Sequence, residues 1–308
     1  MSLERALELA ERGRGTTHPN PVVGAVVVRD GEIVGEGWHE RRGEPHAEVI
    51  ALDAAGERAR GATLYLTMEP CAHHGTTPPC TDAILAAGVA KVVAGSLDPN
   101  PEARGGFEVL RAAGVEVEHA DMFEARAQNE AWRLWIVQRR PFVILKLAVT
   151  LDGRVAVPAE RWITGEESRR RVHELRGRVD AVAVGMGTVR ADDPELTARG
   201  VDAQRQPRRL AFGHGPTKLE QRSGPLDDEL RALGAEGVQS LLLEGGPTLA
   251  QSFLRADRVD KLMLFVAPRV AGRGLAFAPE LASPVDVRRL TAEQVGDDIL
   301  LTGYVHEP

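Results

Sequence analysis

The strongest constraint on the fold is an alternation of short apolar runs with glycine-stopped helical stretches, and it runs through the sequence twice. Leu3, Ala6, Leu7 and Ala10 lie at helical spacing ahead of Gly13. Residues 22–28 and 32–36 are rich in valine and isoleucine and flank Asp30-Gly31, the signal of a β-hairpin. The spacing then predicts a helix from about His46, a strand over 62–67, a helix over 81–87 stopped by Gly88, and a strand over 89–94. A helix near 106–113, a strand over 115–118 and a helix over 123–138 close this half. Proline cannot continue a helix and biases its predecessor to extended geometry, so Arg139-Arg140-Pro141 separates a domain at 1–140 from one at 141–308. The alternation then restarts, with strands over 142–148, 181–184, 209–212, 238–243, 261–267 and 299–305. Helices are expected over 166–178, after Pro225 and over 247–255. The fold class is therefore α/β in two domains.

Composition narrows the function. The 38 Lys and Arg against 45 Asp and Glu leave a net charge of -7, which offers no general attraction to nucleic acid or to an anionic membrane. No apolar run approaches the roughly 18 residues of a membrane span, and the start Met1-Ser2-Leu3-Glu4-Arg5 is unlike a signal peptide, so a cytoplasmic protein is expected. Its two cysteines, Cys71 and Cys80, fall within ten residues, a placement that suits a metal rather than a disulfide framework.

His46-Ala47-Glu48 opens a predicted helix, and Glu69-Pro70-Cys71 with Cys80 follows a predicted strand. One imidazole and two thiolates are preferred zinc ligands, and three protein ligands leave the fourth tetrahedral position open for a water. Such a water ionises near neutral pH, and Glu48, two residues past the ligating histidine, is placed to shuttle its proton, the chemistry of zinc nucleobase deaminases. Their usual second half is Pro-Cys-x-x-Cys, whereas eight residues separate the cysteines here. The alternative is a closed structural zinc site, for which His73 or His74 would supply the fourth ligand.

His18-Pro19-Asn20-Pro21-Val22-Val23-Gly24, Gly37-Trp38-His39, Gly43-Glu44-Pro45-His46-Ala47-Glu48 and the run from Glu69 to Cys80 resemble the deaminase half of the bifunctional riboflavin-biosynthesis deaminase/reductase family, RibD. The insert between the cysteines separates that family from cytidine and tRNA-adenosine deaminases. The resemblance implies a cytidine-deaminase-like three-layer α/β/α domain with zinc on His46, Cys71 and Cys80 and Glu48 as proton shuttle. The implied substrate is 2,5-diamino-6-(5-phosphoribosylamino)pyrimidin-4(3H)-one, which loses its 2-amino group as ammonia. Asn20, His39, His73 and His74 are candidate pocket residues.

In the second half, Leu241 to Thr248 reads as a buried strand, a glycine turn and a helix with proline in its first turn, which suits a pyrophosphate but equally makes an ordinary tight turn. Lys146 in an apolar run is either a pocket residue or a side chain snorkelling at an edge. Residues 146–154, Trp162-Ile163-Thr164, 184–197 and 244–249 are similar to the family's reductase half. That similarity implies a dihydrofolate-reductase-like α/β domain using NADPH to reduce the opened ribosyl side chain to ribityl. By position it puts Val149, Trp162, Thr188, Asp192 and the turn Gly246, Pro247, Thr248, Leu249, Ala250, Gln251 and Ser252 on NADPH. Arg176, Leu196, Arg199 and Glu244 would face the substrate. This chain departs from the family in two places: Glu160 stands where a serine is usual, and the segment between about 207 and 238 is shortened, with Gly213-His214 in place of Asp-Ser. The expected ligands are therefore zinc, NADPH and a small phosphorylated pyrimidine, with no nucleic acid and no membrane. A homo-oligomer formed through the reductase half stays open. So do a deaminase whose second half no longer reduces and a zinc-stapled binding module; a tRNA or free-nucleoside deaminase would leave residues 141–308 unexplained.

Overall fold

The computed structural model describes residues 2–74, 78–158, 161–277 and 281–308, and forms two compact units that divide after Gln138. Among the described residues no helix is long and apolar enough to cross a membrane.

The first unit contains α1 (Ser2–Glu11), β1 (Gly24–Arg29), β2 (Glu32–Trp38), α2 (Ala47–Ala55), β3 (Thr63–Leu66), α3 (Cys80–Ala87), β4 (Lys91–Ala94), α4 (Gly106–Ala112), β5 (Glu116–His119), α5 (Phe123–Gln128) and α6 (Glu130–Gln138). Its sheet runs β2-β1-β3-β4-β5, antiparallel across the hairpin and parallel from β3 to β5. β1 is apolar on both faces because both are covered: Ala25 and Val27 join the core with Ala51, Ile84 and Phe107, while Val26 packs with Ala6 and Leu9 of α1. The three-layer α/β/α domain expected from the resemblance is what forms. Close approach explains two glycines of β2. A Cβ on Gly35 would sit 2.2 Å from Ala51 O and one on Gly37 2.5 Å from Ala47 O, so only glycine lets α2 lie on the strand.

The single helix expected over 123–138 is in fact α5 and α6, broken at Asn129. The Asn129 amide accepts from Val22 N and donates to Val22 O, both at 2.9 Å, and this buried tie takes the backbone out of helical geometry.

The second unit contains β6 (Phe142–Thr150), β7 (Arg154–Ala156), α7 (Glu166–Arg178), β8 (Ala181–Gly185), α8 (Met186–Asp192), β9 (Arg208–Phe212), β10 (Glu220–Arg222), α9 (Leu226–Ala235), β11 (Ser240–Leu243), α10 (Pro247–Arg255), β12 (Lys261–Ala267), β13 (Leu275–Ala276), β14 (Arg288–Val295) and β15 (Asp298–Tyr304). Its main sheet runs β10-β9-β8-β11-β6-β12-β15-β14, parallel through β12 and antiparallel after it. Leu145, Leu147, Ala183, Leu210 and Leu243 pack on Leu230 and Leu233 of α9 and Phe253 of α10. Strand β14 was not expected, because all but its last residue are exposed and carry no alternation.

The shortened segment still completes the sheet. β10 pairs in parallel with β9, and Arg208 and Arg222 tie Glu220 to Glu236 along that edge, Arg208 Nη2 lying 2.6 and 2.7 Å from the two carboxylates. At the amino ends of β6 and β12, fully buried Asp260 takes both guanidinium nitrogens of Arg140 at 2.7 and 2.8 Å and Val143 N at 2.8 Å. His306 Nδ1 lies 3.1 Å from the same carboxylate and its Nε2 3.1 Å from Asp257.

Candidate functional site

In open α/β sheets the loops leaving the carboxyl ends of parallel strands build the sites. In the first unit the chain leaving β3 carries Cys71, Cys80 is the first residue of α3, and His46 is the N-cap of α2. His46 Nδ1, Cys71 Sγ and Cys80 Sγ lie within 4.8 Å of one another, with His46 Nδ1 3.1 Å from Cys80 Sγ and 3.7 Å from Cys71 Sγ. Cys80 N donates to Cys71 Sγ at 3.4 Å. The hydrogen bond from the Cys80 thiol, with His46 and that amide adding to it, pulls the Cys71 thiol down to about 4, and the same sharing pushes Cys80 up.

Glu48, in the first turn of α2, is 3% exposed, and its Oε2 has no hydrogen-bond partner among the described residues. Burial pushes its carboxyl above the ordinary range. A nitrogen and two sulfurs within one ion's reach of one another are zinc's donor set, and the orphan carboxylate oxygen is what a ligand at the metal's fourth position would satisfy. His73 and His74 are exposed and outside this donor group, so no fourth protein ligand closes it among the described residues.

His39 stacks edge-on to His46, with ring centroids 5.3 Å apart. Its Nδ1 donates to Pro45 O at 3.2 Å, which leaves Nε2 to accept from Asn20 Nδ2 at 3.3 Å, and burial lowers its pKa, favouring the neutral ring. Asn20, His39 and His46 are therefore one connected wall. Sequence reasoning missed Asp98, which leaves β4 beside the Cys71 turn. Burial, with the charges of Glu69 and Cys71 adding to it, pushes its carboxyl up to about 6. An Asp-Pro pair right after a strand end, Asp98-Pro99, was the available signal.

In the second unit, β8, β11 and β6 are adjacent and parallel, so their carboxyl ends share one crevice. Glu244, just past β11, is bound bidentately by Arg176 at 2.6 and 3.0 Å, and Lys146 Nζ of β6 lies 3.8 Å from it. Burial would raise Glu244, but Lys146 and Arg176 hold it below the ordinary carboxylate range; burial lowers Lys146. Lys146 is thus a half-buried member of this charged group on a central strand rather than an edge lysine. Arg176 also donates to Thr197 O at 3.2 Å, which brings Leu196, at φ +55°, into this group. Arg199 turns outward to Glu195.

Neither α8 nor α10 has a side-chain cap at its N-terminus, where Gly185 and Gly246 stand. A Cβ on Gly246 would lie 3.6 Å from Thr188 Oγ1 and one on Gly185 3.4 Å from Leu249 Cβ, so the two uncapped ends converge. Their free amides and positive dipole ends fit a pyrophosphate, and hence NADPH. Pro247 is the first helical residue of α10 and Thr248 follows it. Ala250 packs into the core with its N–H on Gly246 O, so it shapes this cradle from behind, and Ser252 Oγ donates to Thr248 O. Val149 is buried in β6; Trp162 is 55% exposed, with the guanidinium groups of Arg161 and Arg169 5.1 and 5.2 Å from its ring. Asp192 ends α8 and is exposed, and Gln251 lies within α10. Glu160 lies outside the described residues.

A family model described as the cytidine and deoxycytidylate deaminase zinc-binding region matches residues 2–96, and one described as the RibD C-terminal domain matches residues 141–301. The riboflavin biosynthesis protein RibD of Aquifex aeolicus is 41% identical, with 97% of this chain and 96% of the relative covered over 342 aligned positions. That alignment is longer than the 308 residues here, so the relative carries segments that this chain lacks. RibD of Escherichia coli is also 41% identical, with 97% of each chain covered. Among solved structures, RibD of Acinetobacter baumannii superposes with a TM-score of 0.87 at 36% identity, covering 98% of this chain and 97% of that one. A Thermotoga maritima diaminohydroxyphosphoribosylaminopyrimidine deaminase/5-amino-6-(5-phosphoribosylamino)uracil reductase superposes at 0.85 with 35% identity and the same coverage. The chain therefore belongs to the RibD family, the bifunctional enzymes of riboflavin biosynthesis that join a zinc-dependent deaminase to an NADPH-dependent reductase.

Proposed function

We propose that the chain deaminates 2,5-diamino-6-(5-phosphoribosylamino)pyrimidin-4(3H)-one and then reduces the ribosyl side chain of the product, 5-amino-6-(5-phosphoribosylamino)uracil, to ribityl. The observation that carries the first step is the donor group of His46, Cys71 and Cys80 beside the unpartnered oxygen of Glu48. Zinc held there supplies the Lewis acidity that brings the ionisation of a water to neutral pH. Glu48 takes the proton of the attacking water on the carboxylate and returns it to the exocyclic nitrogen, which departs as ammonia while a carbonyl is left on the ring. Its burial is useful here, since a carboxyl whose pKa is raised gains in basicity and accepts the proton of the water more readily. Asn20 and neutral His39 orient the pyrimidine against that wall.

In the second unit, the convergent helix ends bind the pyrophosphate of NADPH, which supplies the hydride. Thr188, Asp192, Trp162 and Val149 bound that cradle, and Gly246 to Ser252 form its helix. Glu244, held by Arg176, faces the opened sugar, whose C1′ is then an imine to the amine nitrogen, and Lys146 is the half-buried cation that supplies the proton to that nitrogen, balancing the hydride on C1′. Arg176, and Arg199 once it leaves Glu195, are the cations assigned to the substrate phosphate. Thiolate ligands need a reducing compartment, so the reading places the enzyme in the cytoplasm.

The test is substrate discrimination. Ammonia release is expected from the diaminopyrimidine ribotide and not from cytidine or dCMP, and chelation of zinc should abolish it while NADPH oxidation on the deaminated intermediate continues. Release from cytidine but not from the ribotide would overturn the assignment.

A further inference from the structure

Glu69 stands two residues before the metal ligand Cys71, is 7% exposed, and has no place in the chemistry above. Its carboxylate is nonetheless fully engaged. Oε1 accepts from Gly105 N at 3.2 Å and Phe107 N at 3.1 Å, at the start of α4, whose N-cap Gly105 offers no side chain of its own. Oε2 accepts from Asp98 N at 3.2 Å. The Glu69 backbone N–H meanwhile donates to Ser96 O at 2.8 Å, and Ala72 N to Ala103 O at 3.2 Å. Contact is tight enough that a Cβ on Gly106 would fall 1.9 Å from Pro70 O.

Topology makes this meaningful. β3 and β4 are parallel neighbours with Leu66 opposite Ala94, so the turn bearing Cys71 and the loop bearing Asp98 leave the sheet side by side. Beyond those strand termini a few backbone bonds and the Ser96 hydroxyl on Thr67 O still link the two loops, and the Glu69 carboxylate adds three more hydrogen bonds from the Cys71 turn to the Asp98 loop and α4. Such outer partners set the orientation of groups that touch metal and substrate.

We propose that Glu69 is a positioning residue for the deamination, acting through Asp98: one carboxylate oxygen fixes the Cys71 turn to α4, and the other holds the Asp98 backbone, in the loop that leaves β4 next to that turn, with the Asp98 carboxylate accepting from Asn100 N at 2.8 Å. The inference rests on the deaminase reading.

Glu69→Gln separates the two oxygens, since an amide keeps one acceptor and turns an N–H toward the other group. The two α4 amides should retain the acceptor, and Asp98 should be released. With the full-length protein, Glu69→Gln should keep one zinc per chain and unchanged NADPH oxidation on the deaminated intermediate, while deamination kcat/KM on the ribotide falls about 10- to 100-fold. The readout that a merely structural role would not move is coupling: if Glu69 acts through Asp98, the double variant Glu69→Gln/Asp98→Asn should be no slower than Asp98→Asn alone. Wild-type kinetics in Glu69→Gln, losses that multiply in the double variant, or loss of zinc or folding in Glu69→Gln would each overturn the proposal, the last because it requires a metal centre that stands without the second oxygen. Absence of ammonia release from the wild type would instead sink the deaminase reading itself.

Discussion

Glu48→Gln should slow ammonia release by about two to four orders of magnitude while the protein keeps its zinc. The substitution preserves shape and one acceptor but cannot carry a proton, so it removes the relay and leaves the donor group of His46, Cys71 and Cys80 intact. It also removes a carboxylate that is 3% exposed with an unpartnered oxygen, so thermal stability should hold or rise. Together, metal content, melting temperature and turnover decide between readings. A zinc-stapled module would show no functional change, a folding role would lower the melting temperature, and only a proton relay loses turnover with both zinc and fold retained.

The second large effect is on stability. Asp260→Ala should destabilise the reductase unit by about 3–5 kcal/mol, because it leaves the buried Arg140 guanidinium without its carboxylate. Burial alone would raise Asp260, but Arg140 and His306 hold it below its ordinary value. That contribution is therefore present above the usual carboxylate pKa and is lost as pH falls through the lowered one. His306 behaves oppositely. Both of its ring nitrogens face carboxylates, and the hydrogen bond to Asp260, with the charge of Asp257 adding to it, raises its pKa. Its contribution is complete below about 6.5 and fades as pH rises through the raised value. Denaturant unfolding of wild type and His306→Asn across that window should show the variant losing stability on the acid side and converging with wild type on the alkaline side.

Much of this was legible because the informative residues obey local rules. Apolar runs stopped by glycine or proline located the parallel strands of both sheets except the short polar β10, and residues 166–178, 247–255 and 261–267 form elements with the bounds their spacing predicts. His46, Glu48, Cys71 and Cys80 were visible because metal chemistry restricts residue type as well as spacing. What escaped depends on distant partners. The break at Asn129 comes from a pairing with Val22, more than a hundred residues away in sequence, and β14 is a strand only because β15 offers its edge. Lys146 could not be told from an edge lysine until Glu244 and Arg176 stood beside it. Asp98 and Glu69 belong to loops whose neighbours are set by strand order, which no local pattern records.

The shortened segment bears on whether the second unit reduces. Its sheet is complete through β10, sealed by Arg208 and Arg222, and the converging ends of α8 and α10 lie on other elements. Both activities are therefore expected to reside in this one chain. The most direct measurement supplies the zinc-loaded protein with the diaminopyrimidine ribotide and NADPH and follows ammonia and NADPH absorbance together. Ammonia release followed by oxidation of NADPH in equal amount is the expected result. Ammonia with no NADPH consumed would contradict it and leave a deaminase joined to a unit that does not reduce.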